Sequence, residues 1–332
     1  MLAVAILFAA VSAAPTPESA TAPLSVLSPM GLGTRFVQRP SGNEYNSLYP
    51  HAAANVGMPG NVALDCGVEA DGHLGKCKVE HEIPEGVSFG GAAVSLAHFF
   101  RLDPETAPAA GGDFRFSIGF ATVADGDAQL AVGPWLAAPG FADTSAAYPD
   151  IGGGVTGQVF MRCGLERDGR LKDCKALYER PIERDFDVAA LKLAHLFQMR
   201  IDPALLKSHE PLAANVLVRI AAPFGDDAKL RRIADPVWLS APNLAQLSRL
   251  FPAQANTKGV TAGTGDVDCT VAADGTLVDC QKDGPGDPPN LGFSDAALKA
   301  VAGMRMSPWT EDGGPVDGAR IRLPIRFTSV AQ

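Results

Sequence analysis

The stretch CTVAADGTLVDC, residues 269–280, holds two cysteines with ten residues between them and Asp274-Gly275 at its centre. Asp-Gly suits the two middle positions of a type I′ hairpin turn, where both residues need positive φ. If those two residues form the loop, pairing outward sets Cys269 opposite Cys280. Facing Cα atoms in an antiparallel ladder are about 4.5–5.5 Å apart, a distance that a disulfide spans. A three-residue bulged loop instead shifts the register by one residue and puts Leu277 on the cysteine face. The sequence leaves both loops open.

The same pattern occurs twice more. Cys66 and Cys77 straddle Asp71-Gly72, and Cys163 and Cys174 straddle Asp168-Gly169, again with ten residues between partners. Leu74 and Leu171 stand where Leu277 does. Three cross-strand disulfides are therefore expected, each closing a short loop and contributing about 3 kcal/mol by the chain-entropy estimate. A zinc site would want cysteines two to four residues apart or histidines close by, and neither is present. The apolar run LAVAILFAAVSAA at 2–14, followed by PTPESATAP, resembles a secretory signal cleaved near Ala13 or Ala14, although its start carries no Lys or Arg. Thirteen apolar residues are too few to span a bilayer. The expectation is export, to the periplasm or beyond, where disulfides persist.

Self-similarity extends along the chain at the spacing of the cysteine pairs. Each hairpin is preceded by an aromatic residue and a proline: Tyr49-Pro50, Tyr148-Pro149 and Phe251-Pro252. Further upstream, VGPWLAAP at 132–139 matches DPVWLSAP at 235–242, with 36–40 a degenerate counterpart. Downstream, an alanine pair opens a helical pattern: AAVSLAHFFRL from Ala92, AALKLAHLFQM from Ala189 and AALKAVAGMRM from Ala296. A proline (Pro104, Pro203 or Pro308) then stops the helix. VALDCGVEA from Val62 alternates as a half-buried strand does, and a last strand follows: FRFSIGF from Phe114, NVLVRIA from Asn215 and ARIRLPIRF from Ala319. At about 150 residues per domain, 332 residues would make two domains; the repeat makes three modules instead, at 34–124, 133–225 and 235–332 after a 15–33 linker. The expected fold is α+β, each module running helix, hairpin, helix, strand, with a three-stranded antiparallel sheet and one cross-strand disulfide.

A central Asp-Gly hairpin, then GFSDAALKAVAGMRMSPW at 292–309, then GGPVDGARIRLPIRF at 313–327, resembles the C-terminal domain of the TonB family. The third copy carries the F-x-x-A-A-L helix start, the M-x-P helix end and the terminal L-P-I-x-F strand; the first two drift, and neither keeps the proline of that strand. The resemblance implies a periplasmic module that takes up a short extended segment of an outer-membrane transporter or other envelope protein by β-strand addition. It places the peptide-binding edge at Arg320, Ile321, Arg322, Leu323, Ile325 and Phe327. Pro324, which lacks a donor, suits an edge, while Arg320, Arg322 and Arg326 along it would equally guard against aggregation. The sequence shows neither the membrane anchor nor the long Pro-rich spacer of a TonB energy transducer, so coupling to a proton gradient would need a separate membrane-anchored motor partner. A structural or assembly role in the envelope, with neighbouring modules filling the strand edges, is the alternative.

Composition and motifs bound the remaining classes. With 28 basic against 37 acidic residues, a formal charge of -9, the footprint of a nucleic-acid binder is missing. No nucleophile elbow, zinc-protease motif, Walker loop or complete dinucleotide fingerprint occurs, so neither an enzyme nor a cofactor is expected. His98 and His195 recur at one place in two copies, where Ala302 stands in the third; they read as structural residues of a packed helix. The acidic cluster Asp266, Asp268 and Asp279 lacks an EF-hand loop and reads as a solvated face without metal. Trp135 and Trp238 read as anchors of each linker on its module.

Overall fold

The computed structural model describes residues 36–121, 128–207, 209–222, 231–233 and 236–329. The expected leader at 1–14 and linker at 15–33 lie outside the described residues. The first third of the chain runs β1 (Phe36–Gln38), α1 (Gly42–Leu48), α2 (His51–Ala54), β2 (Gly60–Val68), β3 (Leu74–Ile83), α3 (Phe89–Ala97), β4 (Arg101–Leu102) and β5 (Asp113–Phe120). The second runs β6 (Gln129–Leu130), β7 (Trp135–Ala137), α4 (Phe141–Ala146), β8 (Gly157–Leu165), β9 (Leu171–Arg180), α5 (Phe186–Leu193), β10 (Gln198–Met199) and β11 (Leu212–Ile220). The last runs β12 (Trp238–Ser240), α6 (Leu244–Arg249), α7 (Ala253–Thr257), β13 (Ala262–Val271), β14 (Leu277–Lys282), α8 (Phe293–Val301), β15 (Arg305–Met306) and β16 (Arg320–Thr328).

The chain is α+β with several small antiparallel sheets. In the first and third main sheets a hairpin and a last strand give the orders β3-β2-β5 and β14-β13-β16. The second departs from the expected three strands. β6 adds to β11 in parallel, so its order is β6-β11-β8-β9. Each main sheet is accompanied by a two-stranded ribbon, β1 with β4, β7 with β10 and β12 with β15, built from the segments before the first helix and after the last one.

All three hairpins use the three-residue loop. In the first, Glu69 N–H donates to His73 O and Gly72 N–H to Glu69 O, with Gly72 at φ 87°, a turn closed by a left-handed glycine. Leu74 therefore pairs with Val68 and joins the cysteine face. A second irregularity cancels the shift. Lys76, Asp173 and Asp279, each just before the second cysteine, take φ near 50°, and the bulged residue returns Cys77, Cys174 and Cys280 to their partners. The disulfides Cys66–Cys77, Cys163–Cys174 and Cys269–Cys280 close with Cα atoms 4.0, 3.9 and 4.1 Å apart. Such bonds belong to an oxidising compartment, and no helix among the described residues is long and apolar enough to cross a membrane.

Glycine has a second task in these loops. The amides of Leu102, Met199 and Met306 donate to the carbonyls of Gly72, Gly169 and Gly275 at 2.8, 2.8 and 2.9 Å, and any Cβ there would run into the backbone of the same three residues. The loop thereby fixes the ribbon to the hairpin. Behind each sheet one helix packs through a fully buried phenylalanine, Phe89, Phe186 or Phe293, and an alanine pair. The alanines let the helix approach the strands closely. Burying each ring contributes about 2–3 kcal/mol. The aromatic before the proline meets that phenylalanine nearly edge-on in every copy: Tyr49–Phe89 and Tyr148–Phe186 at 5.7 Å, Phe251–Phe293 at 5.5 Å, the favoured geometry for aromatic pairs.

The copies also pack on one another. Phe160 of β8 is buried in the core of the first sheet, and Arg162 Nη2 donates to the carbonyl of Gly57 at 3.3 Å. Trp309, from the connection between β15 and β16, is buried in the core of the second.

Candidate functional site

The last strand of the third sheet is the place to look, because it is an edge. Val271 N–H donates to Ala319 O and Ser329 N–H to Thr261 O, so in the β13–β16 ladder it is Ile321, Leu323, Ile325 and Phe327 that turn their backbone groups inward. Their side chains face the core: Ile321, Leu323 and Phe327 are buried and Ile325 packs beside them. The even-numbered residues direct N–H and C=O outward. Arg320 is engaged there, donating to Arg231 O at 2.8 Å and accepting from Ile233 N–H at 2.9 Å. Arg322, Pro324 and Arg326 have no backbone hydrogen bond on that side among the described residues. Pro324 occupies an outward position, so its missing N–H removes nothing from the β13–β16 ladder.

The six expected edge residues thus divide in a way that their sequence does not reveal. Ile321, Leu323 and Phe327 can serve a ligand only through the strand they hold in place, and a charge at Ile321 would break the core before it tested the edge. Arg320 pairs with Asp268, which also holds Arg232 at 3.1 Å. Arg322 is held by Asp266 at 3.4 Å and by Asp283 at 2.7 Å. Two members of the acidic cluster, Asp266 and Asp268, are therefore partners of the edge arginines. Asp279, the bulge residue, stands apart and exposed. No group of three or more His, Cys, Asp or Glu among the described residues could hold a metal ion.

His98 and His195 are exposed rather than packed; the His195 ring meets the carbonyl of Lys192 at 2.8 Å. Trp135 lies in β7 and packs on Phe197, ring centroids 4.9 Å apart, while Trp238 in β12 stays half-buried against the third core. A residue that sequence reasoning passed over is Trp309. It has no counterpart in the first two copies, and an unrepeated tryptophan in a repeat is the signal that could have pointed to a contact between copies. Its indole Nε1–H donates to Leu217 O at 3.0 Å. Beside it a cavity of about 420 Å³ opens where all three copies meet, lined by Asn61, Leu130, Phe160, Leu217 and Trp309 among others. Comparison of the sequence with protein-family models and with curated proteins returns no match.

Proposed function

We propose that this is a periplasmic, non-enzymatic protein of three tandem modules similar to the TonB C-terminal domain. Its third module binds extended peptide segments of envelope or outer-membrane transport proteins by β-strand addition along the outer edge of β16. The observation that supports this reading is the row of outward backbone groups at Arg322, Pro324 and Arg326 with no partner among the described residues. Main-chain pairing would supply affinity there. The motor partner that energy coupling would require belongs to the same proposal.

A second reading has its own observation. The equivalent edge of the second sheet carries β6 and Trp309, as expected of an envelope assembly protein whose modules fill one another's edges. Titrating the full oxidised, isotope-labelled chain with transporter-derived peptides separates the two. Amide shifts confined to Arg322, Arg326, Thr328 and their neighbours support strand addition; a silent spectrum at millimolar peptide favours assembly.

A further inference from the structure

The second sheet contains a worked example of how this edge is filled. Register on the central strand makes Ala213, Leu217 and Arg219 the counterparts of Arg320, Pro324 and Arg326. The upstream segments agree: Ala131 N–H donates to Ala213 O as Ile233 N–H does to Arg320 O. Further along β11, residues 309–313 lie on the edge as a turn, closed by Gly313 N–H donating to Thr310 O at 3.1 Å. Trp309 Nε1–H donates to Leu217 O at 3.0 Å, Arg219 N–H donates to Gly313 O at 2.6 Å, and the Arg219 guanidinium holds Asp312 at 3.1 Å. This arrangement uses Leu217 only as an acceptor, so a proline in that place loses nothing.

The third sheet offers the same three groups without an occupant among the described residues. Pro324 presents its carbonyl, Arg326 its N–H, and Arg326 is the arginine of the row that has no carboxylate among the described residues. Arg320 and Arg322 take Asp268 and Asp266 from diagonal positions on β13; the corresponding residue for Arg326 is Ala262. Trp238 is half-buried where its counterpart Trp135 is buried against Phe197, which in turn meets Trp309 edge-on.

We propose that the outer edge of β16 selects a partner-protein segment with the chemistry of residues 309–313: an aromatic N–H donor for the Pro324 carbonyl and, three residues on, a carboxylate for Arg326, followed by a glycine whose carbonyl takes the Arg326 amide. The proposal rests on the reading that the β16 edge takes a partner peptide through its main chain, and specifies an acidic, aromatic segment that turns at its docking point as residues 309–313 do. A second copy is not the source, since its own Trp309 and Gly313 are buried in its own chain.

The probe is the synthetic peptide SPWTEDGGPV, the sequence of residues 307–316, titrated into the full oxidised, isotope-labelled chain alongside versions with Asp replaced by Asn or Trp by Leu. Binding should shift the amides of Arg322, Arg326 and Thr328. The Asp-to-Asn peptide and the exposed-site variant Arg326→Gln should each weaken binding about fivefold, with no further loss when combined. Edge shifts with equal affinity for the Asp and Asn peptides, or with Arg326→Gln unaffected, would overturn the proposal and leave strand addition standing. So would shifts from a transporter peptide but none from this probe, or shifts at Leu217 and Arg219 in place of β16. Silence with every peptide would overturn the proposal together with the strand-addition reading. Concentration-dependent edge shifts without peptide, matched by dimer in sedimentation, would give the edge to a second copy and likewise overturn the proposal.

Discussion

The ring of Trp309 meets the ring of Phe197 edge-on, centroids 4.9 Å apart and planes at 81°, although one residue follows β15 in the ribbon of the third copy and the other precedes β10 in the ribbon of the second. The two copies therefore share a core. Trp309→Ala should destabilise the chain by about 3–5 kcal/mol in denaturant titration. It should also open proteolytic cleavage between the second and third copies, which the parent chain should resist.

Opening the disulfides should cost about 3 kcal/mol for each short loop, which spans 11 positions in sequence. Thiol titration in denaturant without reductant should find no free thiol, and reduction should lower the unfolding midpoint in proportion to the thiols released. Six thiols before reduction would remove the crosslinks from the account.

Gly275→Ala should cost about 1–3 kcal/mol, measured as a fall in Tm. Gly275 sits at φ 85° and an added Cβ would collide with the Met306 carbonyl, so backbone strain and steric conflict act together. Gly303→Ala is the control: its φ is 92° but the space around it is open, and the loss should be smaller.

Arg231 has a buried Nη2 without a hydrogen-bond partner among the described residues. Burial pushes its pKa down, against the opposing charges of Asp312 and Asp317. A buried charge so poorly matched often gives way to an apolar side chain without loss. Arg231→Met should leave the Tm unchanged or raise it, while Asp312→Ala, which removes the carboxylate paired with Arg219 and an opposing charge near Arg231, should lower it.

Burial pushes the Tyr49 phenol up to about 12, and its hydroxyl donates to Met58 O at 2.5 Å. An unfolded tyrosine titrates near 10. The native state thus keeps a proton that the unfolded chain releases, and the stability it contributes is full below about pH 10 and is lost as the pH rises toward 12. Spectrophotometric titration should find a late-ionising tyrosine that disappears in Tyr49→Phe, and that variant should unfold less steeply with alkali.

What the sequence revealed was governed by covalent spacing and local turns. The cysteine pairs, their Asp-Gly centres, the alanine pair of each helix and the proline suited to an edge all act within one copy. Hairpin register was half legible, because the loop and the bulge each move it by one residue and cancel. The left-handed residues that make the bulge are one lysine and two aspartates, Lys76, Asp173 and Asp279, so no single residue type marks it. Contacts between copies were illegible for a different reason. Trp309 and Leu217 are 92 positions apart, and no periodicity links an indole to a carbonyl.

All the cysteines are spent on tying each central strand to its hairpin neighbour, which leaves the last strand of every sheet held by side-chain packing and by hydrogen bonds, with no covalent tie. Those bonds run across the strands, so tension along β16 would load the whole β13–β16 ladder in shear. The crosslink at Cys269 and Cys280 would bear none of it. Under mechanical force the hairpin is the fixed anchorage and the final strand the element that yields, which sets an upper limit on the pull the third sheet can transmit to anything attached at its rim.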